Sequence, residues 1–206
     1  MLHILHSTHG GVPDHILRGM FAARKSVFID LLKWDVPVLA GLYEIDQFDD
    51  QHASYLVLTD ENDAHMASAR LLPTTREHIL GDIFPELCEV PAPRGETIYE
   101  ITRFCLDRSL NARDRRTVRD TLVNAIVGHA LVNDITTYTA IAEMGWYSQI
   151  LAFGWDCRPL GLPHSDGTKT IAALAITIDS ATPGLLDAAG IRSMSTTLPR
   201  DNRVAA

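Results

Sequence analysis

Three acids fall within six residues, Glu44, Asp46 and Asp49, in the run Tyr43-Glu44-Ile45-Asp46-Gln47-Phe48-Asp49-Asp50. A half-buried strand normally hides apolar side chains and avoids clustered charge. Such a cluster either faces water at a strand end or holds something cationic, and the cation it would suit is an amine or a sulfonium. Downstream, Arg70 sits in the apolar setting Ala69-Arg70-Leu71-Leu72-Pro73-Thr74-Thr75, and Glu100 and Arg103 lie in the alternating run 97–106. Period-2 alternation puts Glu100 on a face with Ile98, Thr102 and Phe104, and Arg103 on the other with Tyr99, Ile101 and Cys105. Both faces are largely apolar, so each charge needs a partner. Arg70 is the natural partner for Glu100, because a guanidinium holds a carboxylate with two parallel hydrogen bonds. The bland alternative is a structural ion pair.

A second constellation is basic. Asp107-Arg108-Ser109-Leu110-Asn111-Ala112-Arg113-Asp114-Arg115-Arg116, continuing to Arg119, joins a strand to the start of a helix. Free N–H groups and the positive dipole end of a helix suit phosphate, and Arg108, Arg113, Arg115, Arg116 and Arg119 form the one clearly basic patch of an acidic chain. The alternative is a solvated helix face. The histidines His3, His6 and His9 share a three-residue spacing but no metal-binding motif, so no metal is expected. There is no Walker loop and no G-x-S-x-G elbow.

The elements that must position these groups alternate in type. Val12–Phe28 reads as a helix, 54–59 and 65–72 as adjacent strands, and 75–87 as a short helix. Thr97–Leu106 reads as a strand, Asp114–Val132 as the best helix, and Ile135–Ala142 as a β-branched strand. Trp146–Phe153 is a short helix stopped by Gly154, 157–160 and 170–178 are late strands, and 182–189 is a final helix. This predicts an α/β domain with a mixed, mostly antiparallel sheet flanked by helices. At 206 residues, with 46% apolar and 21% charged residues, one domain over 1–206 is expected. A net charge of −8 argues against a broad nucleic-acid surface. Three cysteines without C-x-x-C spacing, no signal-peptide pattern and no apolar run near the about 18 residues of a span point to a cytoplasmic protein without integral membrane association.

Taken together, Arg24-Lys-Ser-Val-Phe28, Trp34, Glu44-Ile-Asp46-Gln-Phe-Asp49, Ala69-Arg70-Leu-Leu-Pro-Thr-Thr, Asp82-Ile-Phe84-Pro85 and Glu100-Ile-Thr102-Arg103-Phe104 resemble the acyl-homoserine-lactone synthases, the LuxI-type autoinducer synthases, in one order over about residues 20–160. The resemblance implies a fold like the GNAT acyltransferases. It implies an acyl group delivered as a thioester on acyl carrier protein, or in some members on coenzyme A, to the amine of S-adenosylmethionine (SAM). Lactone closure then releases methylthioadenosine (MTA). SAM is a substrate, so no cofactor is implied. By resemblance, Arg24, Phe28 and Trp34 belong to the region that closes over SAM, and Asp46 and Asp49, beside Glu44, lie near its amine and sulfonium. Arg70, Glu100 and Arg103 form the charged core. Thr102, Phe84 and Phe104 fall on substrate-binding blocks, and Thr139, Ile141 and Trp146 on the strand and helix that line the acyl pocket. The basic patch would dock the carrier.

Either Glu100 or Asp46 fits the role of general base. Oxyanion donors would be backbone N–H groups of strand 97–106. Many members carry Leu-Gly-Trp where this chain has Leu32-Lys33-Trp34, and Thr102 stands for Ser. Room for the acyl tail is expected at Ala140 and Ala142. Two other readings are a general acyl-coenzyme-A N-acyltransferase, whose glycine-rich loop is missing from 106–116, and a non-catalytic binding module.

Overall fold

Strand β1 (Leu2–His6), which the patterning does not announce, lies antiparallel to β4 (Ser54–Thr59), with Leu2 opposite Leu58 and His6 opposite Ser54. The computed structural model describes residues 1–6, 14–165 and 167–192. The first two residues of the expected helix 12–28, and His9, lie outside them. These residues form two compact units that interleave along the chain, 1–70 with 103–125 and 71–102 with 126–192.

The first unit carries β1, β4, most of β5 (His65–Pro73) and the end of β6 (Ile98–Leu106), in that order. All six residues of β4 are buried, as befits a strand with neighbours on both sides. Helix α1 (Asp14–Arg24) runs into a π-helical stretch, Lys25–Leu31, instead of continuing as α-helix to Phe28. Wide turns of this kind recur where a helix is bent to serve a site. It ends at Lys33, whose φ of 58° is left-handed. Glycine reaches that region freely and lysine only with strain. A hairpin of β2 (Val38–Leu39) and β3 (Tyr43–Glu44) follows. Its turn is left-handed at Ala40 and Gly41 and closed by Leu42 N–H to the Leu39 carbonyl at 3.0 Å.

The second unit carries the start of β6 parallel to β7 (Thr137–Glu143), then β10 (Thr170–Thr177) antiparallel to β7, with β8 (Cys157–Pro159) and β9 (His164–Ser165) on the far edge of β10. The long helix α3 (Ala112–Val132) connects β6 to β7, the crossover a parallel pair requires. The expected helix at 75–87 is two short pieces, α2 (Ile79–Asp82) and a 3₁₀ turn, Pro85–Leu87. Proline at the head of that turn has no N–H to continue α2. Helices α4 (Met144–Leu151) and α5 (Thr182–Ala188) complete a mixed α/β chain with a mostly antiparallel sheet flanked by helices. No helix among the described residues is long and apolar enough to cross a membrane.

Gly161 presses on the Leu87 turn. A Cβ there would sit 2.5 Å from the Leu87 carbonyl oxygen and 3.1 Å from the Glu89 nitrogen, both backbone atoms. Gly161→Ala is expected to lower stability by about 1–3 kcal/mol. Gly145→Ala, where nothing lies within 4 Å inside α4, should hold or raise it. Urea unfolding of the two variants checks the contrast; equal midpoints would show that the turn yields freely.

Candidate active site

The three acids of the first unit are not an open anionic pocket. Arg24, at the end of α1, gives Nε to Glu44 Oε2 at 2.5 Å and both Nη atoms to the two oxygens of Asp49 at 2.8 Å each. Arg70, in β5, grips Asp46 with both Nη atoms at 2.6 and 3.0 Å and reaches Asp49 at 2.9 Å. Arg103, in β6, donates Nε to Glu44 Oε1 at 3.0 Å and Nη2 to Asp46 Oδ2 at 2.6 Å. Each carboxylate bridges two guanidiniums, so the six groups close into an alternating ring: Arg24, Glu44, Arg103, Asp46, Arg70, Asp49.

The ring is almost dry, with side-chain exposure of 0–1% at Arg24, Glu44, Asp49 and Arg70, 5% at Asp46 and 9% at Arg103. The loop after β3 makes it possible. Asp46 N–H donates to Asp49 Oδ2 and Phe48 N–H to Asp46 Oδ1, both at 2.9 Å, folding the two aspartates back toward the arginines. The sequence reading gave Arg70 to Glu100; within its own unit Arg70 serves Asp46 and Asp49. Arg103 has φ 52°. A left-handed residue inside a strand is the backbone of a bulge and costs about 1–3 kcal/mol.

Aromatic rings cover the guanidiniums. Arg24 lies over Phe21, Arg70 over Phe48, and Arg103 over both Phe28 and Trp34, which stack on each other at 4.8 Å. Tyr55, not singled out from sequence, donates its hydroxyl to Asp49 Oδ1 at 3.0 Å from buried strand β4. Its period in an apolar strand marked it only as core. Burial, then the charge of Asp49, push the Tyr55 phenol above its usual range, so it stays a donor. For Asp49, burial works to raise the pKa, but the Arg24 hydrogen bonds and the Arg70 and Arg24 charges outweigh it and hold the acid well below the usual range. Asp46 is likewise lowered against burial by Arg70 and Arg103.

In the second unit, Glu100 is fully buried and accepts Ile79 N–H at 2.8 Å and Leu80 N–H at 3.0 Å, one on each carboxylate oxygen. These are first-turn N–H groups of α2, which seek an acceptor and favour a negative one. Glu100 pairs in register with Thr139, Thr139 with Ala175, and Ile141 with Ala173, so these five share one face of the sheet. Ile141 and Phe84 pack there against Leu80, Leu87, Leu160, Ala173 and Ala175. Thr139 Oγ1 is buried and has no hydrogen-bond partner.

Ala140 and Ala142 are not on this face. Tyr138 donates its hydroxyl to the Ile126 carbonyl of α3, so residues 138, 140 and 142 face that helix. The small residues on the Thr139 face are Ala173 and Ala175 of β10 instead. Thr102 is buried, Phe104 half-buried, and Trp146 packs edge-on to Phe153 at 5.8 Å.

Of the basic stretch, Arg108, Arg113, Arg115 and Arg116 are exposed, whereas Arg119 is committed to Asp120 at 2.6 Å. Among the described residues no group of three or more His, Cys, Asp or Glu is placed to hold a metal.

The ring fixes an acid limit to stability. Asp46 and Asp49 have folded pKa values below their unfolded ones, so the unfolded chain takes up protons first, near pH 4 (about 3.9 for a free aspartate). Their stabilisation is complete above that pH and is lost as pH falls below it. Unfolding free energy should therefore drop below about pH 4, and Asp49→Asn, weaker at neutral pH, should show a shallower acid slope. Parallel slopes for parent and variant would contradict this.

Residues 12–184 match the family model for autoinducer synthase. The chain is 34% identical over 126 residues to an acyl-homoserine-lactone synthase of Ralstonia nicotianae, covering 57% of this chain and 62% of that protein. It is 33% identical over 123 residues to one of Aliivibrio fischeri, covering 58% and 63%. These matches thus span about three-fifths of the relatives' length. Among solved structures it resembles BjaI, a CoA-dependent acyl-homoserine lactone synthase with SAM and isopentyl-CoA, with TM-score 0.82, 26% identity and coverage of 97% of this chain and 94% of that one. It also resembles TofI in a ternary complex with an inhibitor and MTA, with TM-score 0.77, 26% identity and coverage of 91% and 96%. A putative N-acetyltransferase from Lactobacillus plantarum shares the fold at 15% identity and TM-score 0.59, covering 86% of this chain and 99% of that one, in keeping with a GNAT-like architecture. A family match running through nearly the whole chain, on a fold shared with solved synthases, places this chain in the autoinducer synthase family.

Proposed function

We propose that this chain makes an N-acyl-homoserine lactone from SAM and an acyl thioester. The observation that carries this reading is the convergence of Arg24, Asp46, Asp49, Arg70 and Arg103, scattered over 80 positions of sequence, into one buried ring on the positions the family resemblance marked out. The SAM amine loses a proton to a base and attacks the thioester carbon. The C–N bond forms, the C–S bond breaks and the thiol leaves. The methionine carboxylate then attacks its own γ-carbon, and MTA departs as a neutral thioether.

Asp46 is a poor base, because two arginines hold its carboxylate ionised; Glu100 takes that role. The stacked Phe28–Trp34 pair, whose faces already accommodate a guanidinium, suits the sulfonium. The acyl tail would follow the face of Thr139, Ile141, Phe84, Ala173 and Ala175, a reading supported by the buried Thr139 hydroxyl without a partner, which would donate to an oxygen on a medium or long chain. On this reading residues 1–206 are a single synthase domain, in the cytoplasm, with no cofactor.

Purified protein given SAM and an acyl thioester should release MTA in a one-to-one ratio with acyl lactone, measured by mass spectrometry. Acyl transfer to another amine without MTA would make it a general N-acyltransferase. No turnover at all would leave a binding module.

For the donor, acyl carrier protein is proposed over coenzyme A, since exposed Arg113, Arg115 and Arg116 offer a cationic surface to an acidic carrier. Reversing Arg115 and Arg116 together to Glu should raise KM for the carrier thioester by about tenfold or more, flatten its salt dependence and leave SAM affinity alone. An unchanged KM would move the docking surface elsewhere, and turnover with acyl-CoA alone would replace the donor.

A further inference from the structure

Glu100 is held by two backbone N–H groups of a four-residue helix, too short to fix its own orientation. Something outside the helix must aim it. Three side chains do so. Asp82 Oδ2 accepts the His78 N–H at 2.9 Å, closing the helical turn on itself. Arg94, from the loop before β6, donates Nη2 to that same oxygen at 2.8 Å and Nη1 to the Arg76 carbonyl at 3.2 Å. The His78 ring, wholly buried, bonds the Arg76 carbonyl through Nδ1 at 2.9 Å. Both the Arg94 guanidinium and the His78 ring lean on Gly81. A Cβ at Gly81 would stand 2.6 Å from Arg94 Nη2 and 2.7 Å from the ring. Ile79 and Leu80 lie inside this clasp, between His78 and Asp82.

We propose that Arg94, Asp82 and His78 form a clamp whose function is to hold the Ile79 and Leu80 N–H groups on Glu100, making Arg94 and Asp82 positioning residues for the acyl transfer. This rests on the reading that Glu100 is the base. Arg94 and Asp82 are partly exposed, at 42% and 35%, so their loss need not disturb the core. The sequence reading used Asp82 only as part of a motif and did not single out Arg94, because partners twelve residues apart across a loop leave no periodic signal.

The test uses Arg94→Gln, Arg94→Lys and Gly81→Ala in the full-length chain. Two quantities are measured: hydrogen exchange of the Ile79 and Leu80 amides without substrate, and steady-state kinetics with SAM and the preferred thioester. The clamp predicts faster exchange at these two amides in Arg94→Gln and Gly81→Ala. It also predicts a kcat lower by about tenfold to a hundredfold, the scale of a small misplacement of a reacting group, with KM for both substrates within about twofold and partial recovery in Arg94→Lys. Unchanged exchange overturns the clamp. Faster exchange with unchanged kcat overturns its role in the reaction. The underlying reading fails separately: Glu100→Gln with near-normal turnover removes Glu100 as base whatever the amides do.

Discussion

Charge closure governs the first unit. Three guanidiniums and three carboxylates removed from water would each be costly alone. Alternating in a ring, each carboxylate bridges two arginines and the ring carries no net charge. The constraint is severe, because losing any member leaves its neighbours as buried, under-satisfied ions. It ties together pieces of chain that share nothing else: the end of α1, the β2–β3 hairpin, the loop after it, β5 and the bulged end of β6. The left-handed backbone at Arg103 is the strain accepted to bring that side chain to Glu44 and Asp46. Tyr55 and the aromatic faces above the arginines fill the remaining contacts.

The ring changes what the acids can do. An acidic cluster read alone suggests a socket for a cation. With every acid already shared between arginines, the cluster becomes a rigid polar wall. Glu100 is buried like the ring acids, yet its hydrogen bonds within its own unit come from backbone N–H groups that a short clasped turn presents. Beside it on the same face stand the partnerless Thr139 hydroxyl and a floor of small alanines, one polar atom in apolar surroundings.

Much of this was legible in the sequence. Apolar periodicity located nearly every element from β4 onward within a few residues, and the unusual charges in apolar runs marked Glu44, Asp46, Asp49, Arg70, Glu100 and Arg103. The closure of the ring was not legible, because Asp46 and Asp49, which Arg70 holds, sit in a loop whose fold-back depends on two backbone-to-carboxylate bonds. Register was legible only in part: Ala140 and Ala142 were small and near, but the bond from Tyr138 to α3 turns their side of β7 toward that helix. The π-helical run and left-handed Lys33 and Arg103 escaped for a common reason, since nothing in those residue types asks for the conformation they take.

The claim that the ring acts as one unit can be measured directly. Arg24 and Asp46 stand opposite each other in it, joined through Glu44 and Arg103 on one side and Asp49 and Arg70 on the other. A double-mutant cycle of Arg24→Met and Asp46→Asn, read by urea unfolding at neutral pH, isolates their interaction. A closed ring predicts a coupling energy of about 1 kcal/mol or more, because the first break already loosens the second member. Additivity within about 0.5 kcal/mol would show that these are separate ion pairs that merely lie side by side.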